Sequence, residues 1–351
     1  MTSRERVKRA ITFRHPDQLP HYLPDGKPND ILWLAPWTMG PDTTPPDRQP
    51  WTRIGDIDRR IDAWGTVWER ANGQPNDIGQ AKQASIPDIT HQAEYLFPDR
   101  NDPRYYRAHR AAIAANNAAE NPLYALGVLG FSSLNEGVHN NIGLDQMFLS
   151  YHLHPDHLKA LIARFAEKQR ESIELMAKLG CDGVMLYDDW GLQDRLMVSR
   201  DLIREFFLPH YRSNWQRAHD LGMQVWMHSC GCIVDILDDF IDAGLNVIQM
   251  DQQENMGLEN LSKRFGGRIA FWCPVDIQRT LSSGTPEQVV AYVQRMMQTI
   301  GSHNGGLVSM CYTTPEVIQI KPDNIRAMCE AFRHYGVYSP VASRNTGKSS
   351  K

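Results

Sequence analysis

His228 and Cys230 lie two residues apart and are followed by Gly231. On an extended strand, side chains at i and i+2 point the same way, so this imidazole and thiol would converge on one point. Such a pair suits zinc, which takes nitrogen and thiolate sulfur in a tetrahedral array. Catalytic zinc keeps one position open beside three protein ligands. Six cysteines are present, at 181, 230, 232, 273, 311 and 329. Cys311 is the natural third ligand and Cys273 its rival, because each follows a short apolar run. Cys181, Cys232 and Cys329 read as small packing residues.

Other polar residues also fall at the ends of apolar runs: Asp188-Asp189-Trp190, Asp251-Gln252 and Cys273-Pro274-Val275-Asp276. On an alternating strand only one of Asp188 and Asp189 can face inward, which argues against a two-carboxylate glycosidase site. Asp189 and Gln193 are expected to orient a substrate or metal-bound group, with Trp190 walling the pocket. Asp188, Gln252 and Asp276 are candidate substrate contacts. Glu136 is another, or a fourth zinc ligand.

From about residue 182 onward, short apolar runs alternate with amphipathic segments, the rhythm of βα units and a parallel sheet. Strands are expected at 184–187, 223–228, 246–250, 268–272 and 306–310, with an earlier one at 123–129. Helices are expected at 107–119, 157–179, 200–221 with a kink at Pro209, 232–243, 258–265, after the capping sequence Thr285-Pro286-Glu287-Gln288, and at 322–335 with Gly336 as a C′ glycine. Two N-terminal strands are expected within 19–23 and 66–68. The pattern fits a (β/α)8 TIM barrel or an open doubly wound sheet, and in both the carboxyl ends of the strands surround the active site. Residues 1–338 read as one barrel domain with N-terminal elaborations, inserted loops around 24–62 and 71–121, and a disordered polar tail at 339–351.

The 351 residues carry 37 Lys and Arg against 41 Asp and Glu, a net charge of −4 without a basic stripe, so a nucleic-acid partner is not expected. No apolar run approaches the roughly 20 residues that cross a bilayer, and the N-terminus lacks the apolar core of a signal peptide. A soluble cytoplasmic protein, away from membranes, is the expectation. In that compartment a disulfide framework is not.

Several of these segments resemble the uroporphyrinogen decarboxylase superfamily. They are Ser3-Arg4-Glu5-Arg6-Val7 with Arg14-His15-Pro16-Asp17, Asp188-Asp189-Trp190-Gly191-Leu192-Gln193, His228-Ser229-Cys230-Gly231, Pro274-Val275-Asp276 and Pro322-Asp323-Asn324-Ile325. The resemblance implies a (β/α)8 barrel. Within the superfamily the chain looks like the cobamide-dependent methyltransferases, whose His-x-Cys and later Cys bind zinc; these fall on His228, Cys230 and Cys311. Where true decarboxylases carry an arginine-bearing segment that grips substrate carboxylates, this chain reads His21-Tyr22-Leu23-Pro24-Asp25-Gly26, without arginine. Tyr312-Thr313-Thr314 after Cys311 also departs from the family pattern. The resemblance implies a zinc-dependent transfer of methyl between a small methyl ether or thiol and a corrinoid (cobalamin), free or carried by a partner protein. A metal-independent decarboxylase and a non-catalytic zinc- or cobamide-binding module are the rivals.

Overall fold

The computed structural model describes residues 1–35, 50–73, 77, 79–98, 103–129 and 133–338. Twelve strands occur among them. In chain order they are β1 (His21–Tyr22), β2 (Ile31–Leu34), β3 (Thr52–Ile54), β4 (Ile57–Ile61), β5 (Val67–Ala71), β6 (Gln80–Gln83), β7 (Tyr124–Val128), β8 (Gly183–Tyr187), β9 (Gln224–His228), β10 (Val247–Gln249), β11 (Ala270–Cys273) and β12 (Leu307–Met310). Eight of them form one parallel sheet in the order β1-β12-β11-β10-β9-β8-β7-β2. Helices fill the crossovers, as parallel pairing requires. The ring closes between its end strands, where Asp30 N donates to the His21 carbonyl at 2.8 Å and the Asp30 carboxylate accepts the His21 N–H at 2.8 Å. The result is a (β/α)8 TIM barrel with extra N-terminal elements. Among the described residues no helix is long and apolar enough to cross a membrane.

Alternation along the strands divides the core in two. Tyr124, Leu126, Val128, Met185, Trp226, Val247, Ala270, Trp272, Val308 and Met310 pack inside the barrel, with Val7 and Ile11 of the helix Ser3–Ile11 against them. Their strand neighbours Ala125, Val184, Leu186, Val225, Met227, Ile248 and Phe271 face the helices. Tyr22, Trp33 and Trp272 meet inside the barrel with ring centroids 5.7–6.0 Å apart. The N-terminal charged motif proves to be architectural: Arg6 ties Asp17 (2.7 Å) to Asp30 (2.6 Å), while Arg4 and Lys8 both pair with Asp182 at the foot of β8.

The expected strands from 123 onward all form, within a residue or two at their ends, and β1 lies inside the expected 19–23. Residues 66–68 do not supply a barrel strand. They begin β5 of a separate antiparallel sheet, β3-β4-β5-β6, inserted between β2 and β7. The barrel's second strand is instead the four-residue run Ile-Leu-Trp-Leu of β2, inside the stretch expected to be an insertion. The 200–221 segment breaks into Arg200–Phe206 and Leu208–Asp220, because Pro209 has no N–H to continue the ladder. The 232–243 helix starts late, at Leu237, since Cys232 N is drawn to the Leu192 carbonyl at 2.7 Å. Thr285 and Gln288 form the reciprocal capping box. Gly336 is not left-handed, with φ −78°; a Cβ there would meet Phe332 O at 2.4 Å and Leu19 Cβ at 2.8 Å, so close approach demands the glycine. The 339–351 tail lies outside the described residues.

The seam depends on Asp30, which is 3% exposed. Asp30→Ala should lower unfolding free energy by roughly 2–4 kcal/mol, since it strands a buried backbone N–H and part of a guanidinium. Urea denaturation followed by circular dichroism measures this.

Candidate metal centre

The inward positions continue past the strand ends. On β8 Met185 and Tyr187 face in, and Asp189 follows in the same phase; on β9 Trp226 and His228 are followed by Cys230. Asp189, His228 and Cys230 meet with their donor atoms all within 4.8 Å of one another. Cys230 Sγ is 3.3 Å and Asp189 Oδ1 3.4 Å from His228 Nε2. A tetrahedral zinc with bonds of about 2.3 Å to sulfur and about 2.0–2.1 Å to nitrogen and oxygen sets neighbouring donors roughly 3.4–3.5 Å apart. The donor types and their spacing fit a zinc ion.

The ring of His228 is held in the orientation such an ion needs. Its partner in register on β10 is Gln249, whose Oε1 hydrogen-bonds His228 Nδ1. The Gln249 amide nitrogen donates to Asp251 Oδ1 at 2.9 Å and faces Met310 Sδ at 3.1 Å. A carboxylate only accepts, so it fixes the amide with nitrogen toward Asp251 and oxygen toward His228. Nδ1 then carries the proton, and the Nε2 lone pair is free on the side of Cys230 and Asp189.

The loops after β8 and β9 cross main chain on main chain. Gly191 N donates to Cys230 O at 3.2 Å. A Cβ on Gly191 would fall 2.5–2.6 Å from the backbone of Cys230–Cys232, and one on Gly231 (φ +76°) would fall 2.4 Å from the Gly191 carbonyl. Asp189 Oδ1 accepts the Cys230 N–H at 2.7 Å, and Gln252 Oε1 accepts the Gly231 N–H at 2.8 Å.

Electrostatically the mouth is acidic. Burial pushes the Cys230 thiol far above its ordinary range, and the charges of Asp189 and Asp251 push it further. Glu136, on the helix Asn135–Ile142, is raised to about 8 by burial and then by Asp189 and Asp188. His139, on the same helix, is lowered to about 4 by burial. Among the described residues no lysine or arginine pairs with Glu136, Asp189 or Asp251.

Several expected contacts sit elsewhere. Asp188, in the outward phase, is wholly buried: it accepts Leu134 N and Glu136 N at 2.9 Å each and the Tyr211 hydroxyl, so it holds the helix that carries Glu136 and touches no pocket. Burial raises it to about 6. Trp190 is also outward and unexposed, packed edge-on to Phe207 with its indole N–H on Tyr211, so it belongs to the helix layer and does not wall a pocket. Asp276 is 1% exposed and caps the turn at Arg279 N (2.9 Å) and Thr280 N (3.3 Å). Gln193 is exposed and paired with Gln278 and Asn255, linking rim loops away from the three donors. Cys311 and Cys273 follow the inward residues Met310 and Trp272 and therefore face the helices; neither joins the donor cluster. Gln249 was not among the expected site residues, although with Asp251 it forms an i, i+2 polar pair at a strand end, the same spacing that marks His228 and Cys230.

Residues 133–335 match the family model for uroporphyrinogen decarboxylase (URO-D), which is more than half of the chain. The chain belongs to the URO-D family. No curated protein matches it in sequence. Among solved structures this URO-D member is similar to a methyltransferase from Methanosarcina mazei, at 15% identity over 95% of this chain and 99% of that one, with a TM-score of 0.67. A 3-keto-D-glucoside 4-epimerase from E. coli is matched more loosely, at 15% identity over 70% of this chain and 84% of that one, with a TM-score of 0.38. At 15% identity, the likeness to the methyltransferase is one of fold alone.

The glycine crossing should be intolerant of any side chain. Gly231→Ala is expected to cost roughly 1–3 kcal/mol and to abolish tight zinc binding while the far-ultraviolet dichroism of the barrel persists. Zinc titration against a chromophoric chelator reads the second effect.

Proposed function

We propose that this URO-D family member is a zinc-dependent methyltransferase that moves a methyl group between a small thiol or methyl ether and a corrinoid, free or carried by a partner protein. The observation that carries this reading is the convergence of His228 Nε2 and Cys230 Sγ at 3.3 Å in the barrel mouth, with the His228 tautomer set by Gln249. Likeness in fold to a methyltransferase supports it.

Zinc at this place would supply Lewis acidity, stabilising a thiolate at neutral pH or drawing charge from an ether oxygen. The corrinoid would supply the cobalt that gives or takes the methyl group. The chain's own part is binding and orientation. His228 and Cys230 hold the metal, and Gln249 and Asp251 keep the imidazole facing it. Tyr22, Trp33 and Tyr187, only partly buried at the inner rim, offer aromatic surface against which a small, mostly apolar substrate loses its water.

Decarboxylation of a polycarboxylate is the second reading, favoured by the family match. It would demand cations in the mouth, because buried carboxylates without partners are costly. The segment 21–26 offers none, and Arg333 nearby is taken by Asp25 at 2.9 Å. The acidic groups at the site would repel such a substrate.

Purified protein should contain one zinc per chain. With the right donor or acceptor it should interconvert reduced and methylated cobalamin, seen in the visible spectrum, and removal of the metal should abolish the change. Release of carbon dioxide from uroporphyrinogen by metal-free enzyme would establish the decarboxylase reading instead.

A further inference from the structure

This inference rests on the metal reading above and concerns which side chain completes the site. We infer that Asp189 is the third protein ligand, giving a His–Cys–Asp centre with a single thiolate, and that Cys311 takes no part in it.

Phase along the strands separates the two candidates. Val308 and Met310 of β12 face the barrel interior, so Leu307, Ser309 and Cys311 face outward. Ser309 Oγ confirms that phase, bonded to His21 Nδ1 at 2.8 Å and to Pro20 O at 3.2 Å. Cys311 packs in the layer between barrel and helices, which it shares with Cys329 of the helix Pro322–Tyr335. Bringing its sulfur to His228 would turn the end of β12 over to its other face. Cys273 is excluded in the same way.

Asp189 has the opposite placement. It continues the inward phase of Met185 and Tyr187, and its Oδ1 is 3.4 Å from His228 Nε2, the edge length of a tetrahedral site. The residue is fixed at both ends: Asn135 Nδ2 donates to its carbonyl at 2.7 Å, and its Oδ1 accepts the Cys230 N–H at 2.7 Å. A carboxylate oxygen has two lone-pair directions, so one serves that N–H and the other remains for a metal. The side chain is 33% exposed and its only ion-pair partner among the described residues is His228. A half-buried anion beside an imidazole and a thiol, with no fixed cation to balance it, is the environment of a divalent ion. Glu136 stands close enough for its charge to act on both Asp189 and Cys230.

Cobalt(II) substitution of the full-length protein tests the assignment without turnover, because the near-ultraviolet charge-transfer band grows with each coordinated thiolate. Cys311→Ser should leave the band and the metal affinity unchanged. Cys230→Ser should abolish the band. Asp189→Asn should keep the band but weaken metal binding by roughly tenfold or more, using the loss seen for supporting groups as a lower bound. Circular dichroism checks that each variant is folded. A band halved by Cys311→Ser would overturn the assignment while leaving the metal reading intact, as would full affinity in folded Asp189→Asn. Failure of the unaltered protein to bind either cobalt or zinc would sink the metal reading and this inference together.

Discussion

Gly191 and Gly231 meet where the loops after β8 and β9 cross, each backbone occupying the space a Cβ of the other would need. The rest of the centre is arranged around that contact. It brings the carbonyl of Cys230 onto Gly191 N, sets Asp189 beneath the Cys230 amide, and leads Cys232 to Leu192. Strands in a parallel barrel are held by their ladders, but their ends are not. Without the crossing, the residues just past β8 and β9 would splay with the loops. Packing main chain against main chain converts two loop positions into an extension of the sheet.

The second organising rule is the period of two. Asp189, His228 and Cys230, with Gln249 and Asp251 behind them, lie in the phase that faces the barrel axis, whereas the residues next to them in the other phase serve different contacts. Asp188 shows the division most clearly. One residue from Asp189, it is wholly buried and serves the amides of Leu134 and Glu136 and the hydroxyl of Tyr211. It is also how Glu136, from a different crossover, comes to stand over the donors. Adjacent aspartates thus have unrelated duties, one architectural and one at the mouth.

The fold was legible in the chain's second half because each strand there is an apolar run followed by a polar break, and helices such as those after Ser199 and Thr285 open on capping residues. The first half was less so. Ile31–Leu34 is a four-residue strand beside a Pro- and Asp-rich stretch, too short for periodicity to mark. Val67–Ala71 has strand composition but pairs outside the barrel, and composition cannot say with what a strand pairs. At the site, His228 and Cys230 stood out because i, i+2 spacing is a local property. Trp190, expected to wall the pocket, lies instead in the helix layer, because proximity to a strand end does not by itself carry the phase past that end. Gln249 was overlooked because an amide has no reactivity of its own; its importance lies in which partner each end must face.

The ring is not equally strong around its circumference. β8 and β9 share a five-residue register, whereas β1 offers only His21 and Tyr22 to β12 and meets β2 through the hydrogen bonds of Asp30. Free energies of local opening follow the number of ladder bonds and contacts that must be broken. Amides of β1 should therefore exchange with solvent long before those of β8 and β9. The barrel would breathe like a clasp, opening at Asp30 and hinged on the opposite wall. Tyr22 and Trp33 lie on the opening side, and His228 and Cys230 on the hinge. The yielding arc can thus part while the donors on the far wall keep their places.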